Sequence, residues 1–156
     1  MSIETSKLPE KPSELIMLAL KDLKAAEESK KYEIRMEDWH NPNDLKFLEA
    51  SEIPEEEIHK CEVCFAGSVM AFSLEGDINR HYEPKDFPGE KRKLRALDVF
   101  RKGQVSYGMT IFYGDRDTTN YEEIQDYFLI PYYHDDREGF HEAMAEMADH
   151  LKEKGY

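Results

Sequence analysis

At 156 residues, 40% hydrophobic and 12% aromatic, the chain carries enough apolar material for one domain core and too little length for two independent domains. Its 34 acidic against 21 basic residues give a formal net charge of -13, which repels phosphates and anionic lipid and so disfavours direct binding to nucleic acid or to a membrane. No run approaches the roughly 18 apolar residues of a membrane span, no basic segment feeds an apolar one at the start, and two cysteines three apart cannot staple a secreted scaffold, so a cytoplasmic protein is expected.

Residues 1–12, with Pro9 and Pro12 and no apolar rhythm, read as a flexible lead-in to a single mainly helical domain over 13–156. Ser13 has the chemistry of an N-cap for a helix over 14–29. Leu15, Ile16, Ala19, Leu20, Leu23 and Ala26 recur on its inner face, while Lys21, Lys24, Glu27 and Glu28 are expected to face water. The period then changes to two through Tyr32, Ile34 and Met36, the mark of a short half-buried strand, and Asn41-Pro42-Asn43-Asp44 turns the chain.

A second helix is expected from Pro54, with Glu55 to Glu57 at its positive end. Ile58, Cys61, Phe65, Val69 and Phe72 form its apolar stripe, and Gly67 and Ser68 leave room for another helix to approach. Residues 79–89 are turn-rich. A short basic helix over 91–101 presents Leu94, Leu97 and Phe100, with Gly103 suited to its C-terminal cap.

Residues 104–113 alternate by two and read as a strand. Thr119-Asn-Tyr-Glu122 has the form of a capping box, which predicts a short helix through Ile124, Tyr127 and Phe128 that Pro131 ends. Asp135-Asp-Arg-Glu138 is a second such box. The helix after it buries Phe140, Met144, Met147, Ala148 and Leu151 and stops at Gly155. The fold class expected is mainly α, a compact single domain of four to five helices with room for a small β element.

Three groups of residues invite a chemical reading. Cys61 and Cys64, at i,i+3 on the expected helix, could share a zinc ion with His59 and His81. A redox pair would instead need its first cysteine exposed at a helix N-terminus. The favoured reading is packing, because free cysteine behaves as a small buried hydrophobe.

The basic segment Lys91, Arg92, Lys93, Arg95 and Arg101 could hold a nucleotide or another small phosphorylated ligand, or meet the acidic part of a second copy in a homo-oligomer. Tyr132, Tyr133, Asp135 and Asp136, just after Pro131, read as an exposed edge for a protein partner. Glu142 and Glu146, at i,i+4, read as a solvated face of the last helix.

No glycine-rich phosphate loop, nucleophile elbow or His-Glu-x-x-His motif occurs, so no catalytic residue is assigned, and no cofactor is expected beyond that zinc option.

The segment Cys61-x-Val-Cys-x-Ala-Gly-x-Val-Met-Ala71, followed by Leu94-x-Ala-Leu-x-x-x-Arg-x-Gly103, resembles a pattern in small uncharacterised proteins of tailed bacteriophages. The likeness covers about a third of the chain and transfers no catalytic or binding residue. It implies a setting, a phage accessory protein in a bacterial cytoplasm. Together with the charge, it leads to the expectation of a non-enzymatic protein that binds a basic host protein and modulates or inhibits it. The alternatives are a small-ligand or nucleotide-binding protein using 91–102, and a Cys/His metal-site protein.

Overall fold

The computed structural model describes residues 8–42, 60–97, 109–114, 121–126 and 130–156, and for 109–114 and 121–126 it describes the backbone. The architecture is mainly α with a small β element.

Proline at the first helical position starts α1, Pro12–Glu28. Lys11 is the N-cap and makes no side-chain cap bond, which corrects the expected Ser13 cap. Ser13 lies buried in the first turn instead, and its hydroxyl donates to the Tyr156 carbonyl oxygen at 2.6 Å. From Leu8 onward the lead-in is packed: Leu8 is 3% exposed, and Lys93 Nζ donates to its carbonyl at 2.8 Å and pairs with Glu10 at 3.0 Å.

After α1 come β1, Tyr32–Ile34, and β2, His40–Pro42. The expected helix from Pro54 through Phe72 does not extend through the cysteines. Cys61–Val63 is a strand, β3, at the centre of a three-stranded sheet with order β1-β3-β2. It pairs parallel to β1 (Tyr32 with Cys61, Ile34 with Val63) and antiparallel to β2 (His40 with Val63, Pro42 with Cys61).

Cys61 and Val63 are buried with Glu62 between them on the other face, the alternation of a strand, and pairing on both edges fixes it. Residues 54–59 lie outside the described residues. The helical part, α2, is confined to Phe65–Ala71, with Cys64 as N-cap and its sulfur accepting the Gly67 N–H at 3.3 Å.

A single 3-10 turn at Pro84–Asp86 leads to α3, Lys91–Leu97, which buries Leu94, Ala96 and Leu97. Of the strand expected over 104–113, residues 104–108 lie outside the described residues, and the rest falls in β4, Met109–Gly114. Its partner is β5, Tyr121–Asp126, running antiparallel with Gly114 opposite Tyr121. That pairing overturns the short helix expected after Thr119: the capping-box pattern is a local preference, and a partner strand supplies the ladder hydrogen bonds that outweigh it.

The last helix, α4, is Arg137–Glu153 and buries the five residues expected of it. Asp136, one residue later than the expected cap, accepts the Gly139 N–H at 2.9 Å.

α1 lies against α2 and α4, and α3 against α2. The main core gathers residues of all four helices, with Phe65 and Phe140 meeting edge to face at a centroid distance of 5.6 Å. A second, smaller cluster of Ala26, Cys61, Val63 and Ala71 fills the space under the sheet. Among the described residues no helix is long and apolar enough to cross a membrane.

Candidate functional site

The two cysteines part company in the fold. Cys61 sits on β3 in the smaller cluster, Cys64 caps α2 in the main core, and both are fully buried thiols. The shared helical face that would have let them chelate one ion therefore does not exist. His81 is exposed and His59 lies outside the described residues. Among the described residues no three His, Cys, Asp or Glu side chains group as a metal site would require.

Cys61 meets a different histidine, one that spacing alone did not mark. His40, 1% exposed, is the first residue of β2, and its ring nitrogens lie 3.6 and 3.7 Å from the Cys61 sulfur. Its Nδ1 donates to the Arg80 carbonyl at 2.8 Å, so the proton is on that nitrogen and Nε2 is free to accept the thiol hydrogen. Burial lowers the His40 pKa and pushes the Cys61 thiol up to about 12. A cysteine–histidine nucleophile needs the reverse, a thiolate within reach of substrate. This pair is a neutral core contact.

The outer face of the same sheet is acidic. Glu33 and Glu62 are direct neighbours across β1 and β3, and the Arg35 Nε lies 3.1 and 3.2 Å from their carboxylates. Burial, then a hydrogen bond with Asp38, holds the Glu62 carboxyl above its ordinary range.

The basic segment is partly consumed inside the molecule. Lys93 anchors the lead-in, Lys91 and Arg92 are half-buried, Arg95 is exposed, and Arg101 lies outside the described residues.

The expected partner edge divides in the same way. Asp135 is exposed and Tyr132 half-buried, while Asp136 is occupied in capping α4. Tyr133 is 2% exposed, which removes it from any recognition edge. Its hydroxyl donates to Glu27 Oε2 at 2.5 Å, and His141 Nε2 donates to the same oxygen at 2.8 Å. Arg137 stands 3.9 Å from that oxygen and lies over the Tyr133 ring at 5.3 Å. Burial and the Glu27 carboxylate raise the Tyr133 pKa well above its ordinary value. Glu27, expected to face water, is thus the post that joins the last turn of α1 to the first turn of α4.

Among the described residues the largest ordered charge feature is on α4. Glu138, Glu142, Glu146, Asp149 and Glu153 are all exposed. At 3.6 residues per turn they fall within about 80° of the helix circumference, directly opposite the buried face, and run about 22 Å along it. Among the described residues none of the five forms an ion pair. From 138 to 149 every exposed position of α4 is acidic, and the cations sit at the ends, at Arg137, Lys152 and Lys154. The outer face of α1 differs, mixing Lys11, Glu14, Lys21, Lys24 and Glu28.

Comparison with protein-family models, curated proteins and solved structures returns no match.

Proposed function

We propose that this chain is a non-enzymatic binding protein that presents the acidic ridge of α4 to a basic surface of another protein and thereby modulates or inhibits it. The observation that carries the reading is the ridge itself. Like charges at i,i+3 and i,i+4 destabilise a helix by about 0.2–0.5 kcal/mol per pair, and this ridge contains four such neighbours in succession. α1 shows that the chain also builds a surface helix with mixed signs, so an unbroken line of carboxylates is not a general solution to solubility here.

The spacing narrows the partner class. Successive carboxylates advance about 4.5–6 Å along the helix axis, against about 3.4 Å of duplex axis per phosphate of one DNA strand. The ridge is sparser than a nucleic-acid strand, which favours a role as counter-surface to a basic protein over a faithful copy of DNA. Proteins that grip nucleic acid are the ones that carry such basic surfaces. The resemblance to tailed-bacteriophage proteins supports a bacterial host protein in that role.

The test is comparative capture from a bacterial lysate, with immobilised wild-type protein beside E142Q/E146Q/D149N and quantitative mass spectrometry of what each retains. Glu138 is left in place because it favours the positive end of α4. Basic proteins held by the wild type and lost by the variant support the reading. Equal retention by both, or none by the wild type, rejects it.

A further inference from the structure

We infer that His134 is a proton-operated latch between the turn at residues 35–38 and the segment that leads into α4. Met36 has a wholly buried side chain, and its backbone N–H donates to His134 Nε2 at 3.3 Å. A neutral imidazole carries one lone pair and an imidazolium carries none, so this bond exists only while Nε2 is unprotonated and the hydrogen resides on Nδ1. Protonation sets an N–H against an N–H, and the ring must turn away and leave the Met36 amide without its acceptor.

The groups around the ring define the balance. Arg35, the first residue of the turn, and Arg137, on α4, oppose a positive charge on His134, while Glu37, in the turn, and Asp135, beside it in the chain, favour one. His134 is exposed as a residue, and the partial desolvation of its ring is the largest influence and also opposes protonation, so the group takes up its proton below its ordinary 6.5. The Tyr132 and Tyr133 rings meet the imidazole edge to face, each at 5.2 Å, and hold its plane.

The neighbouring contact behaves differently. His141 Nε2 donates to Glu27, and an imidazole nitrogen that donates when neutral also donates when charged. Acid therefore releases the turn from the 132–135 segment while the first turn of α4 stays fastened to α1. The consequence is a hinge in which protonation of an imidazole breaks one tie and leaves the donor of the other in place. It stands independently of what the acidic ridge binds.

The experiment is amide hydrogen exchange by NMR at about pH 7.5 and about pH 5, with rates normalised to the intrinsic exchange at each pH. In the wild type the protection of the Met36 amide falls by at least about tenfold on acidification, the scale of one lost hydrogen bond. The Cys61 amide, bonded to the Lys31 carbonyl at 2.8 Å, measures any global loosening, and the fall at Met36 exceeds the fall at Cys61 by that tenfold.

In H134Q the side-chain carbonyl accepts without titrating, and Met36 protection becomes independent of pH. Nitrogen-15 shifts of the His134 ring give a second readout that needs no variant, with Nε2 unprotonated at the higher pH and protonated at the lower. Flat Met36 protection in the wild type, an equal fall in H134Q, or a hydrogen on Nε2 at the higher pH would each overturn the proposal.

Discussion

Replacing Gly67 with alanine probes how closely the sheet and α2 are fitted. A Cβ at Gly67 would lie 1.6 Å from the Trp39 carbonyl oxygen, 2.7 Å from the Trp39 carbonyl carbon and 3.2 Å from Val63 Cβ. A relaxed carbon–oxygen contact needs about 3.3 Å, so the Trp39 peptide must retreat by roughly half that distance. Trp39 O is also the acceptor for the Cys64 N–H at 3.2 Å, at the cap of α2, so the retreat breaks a hydrogen bond as well.

Three effects compete. Overpacking against backbone costs about 1–3 kcal/mol or more, and the lost hydrogen bond about 1 kcal/mol. The better helix propensity of alanine returns about 1 kcal/mol. The net expectation for G67A is a loss of about 1–3 kcal/mol or more, read from urea unfolding followed by far-UV circular dichroism with the slope held common. A loss below about 0.5 kcal/mol, the range of an ordinary surface change, would refute the close approach of Trp39 to α2.

Removing the Glu27 carboxylate leaves two donors stranded, so E27A should lose about 2–3 kcal/mol. Y133F should lose less, and a double-mutant cycle between them should show coupling of about 1 kcal/mol or more. His40 and His134 both have pKa values lowered by burial, so the unfolded chain binds more protons than the folded one below 6.5. Their contribution is present above 6.5 and is lost as pH falls through the folded-state values. The urea midpoint should therefore drop between about pH 7 and pH 5, and a flat profile would count against the neutral pairing of both rings.

Neither thiol should react with a thiol reagent in the native state, and both should react in denaturant. Fast native labelling of Cys61 would contradict its burial against His40. The E142Q/E146Q/D149N variant should be no less stable than the wild type, and slightly more so at low salt, because each substitution removes like-charge neighbours. A clear loss by the same urea assay would show that these carboxylates stabilise the helix.

The long helices were legible because their apolar residues recur on one face with charge opposite, as in Phe140, Met144, Met147, Ala148 and Leu151. The short segments were legible only where the local pattern and the pairing agree. Tyr32–Ile34 alternates and is a strand, whereas Cys61–Val63 falls on what reads as a helical stripe and owes its conformation to neighbours about twenty to thirty residues earlier in the chain. Tyr121–Asp126 carried a helix-start pattern that hairpin pairing overrode.

Glu27 was misread for a related reason. A carboxylate at the edge of an apolar stripe looks solvent-facing until Tyr133 and His141, more than a hundred positions away, are brought to it. The α4 ridge was half-visible in the spacing of Glu142 and Glu146. Extending the same steps to Glu138, Asp149 and Glu153 would have found all of it.

The dissociation constant of the leading captured protein, measured for the wild type and for E142Q/E146Q/D149N at two salt concentrations, tests the central claim most directly. An electrostatic interface at the ridge predicts tight binding at low salt that weakens at high salt, with the variant bound at least about tenfold more weakly and less sensitive to salt. The same affinity and the same salt dependence for both proteins would place the interface elsewhere and contradict the account.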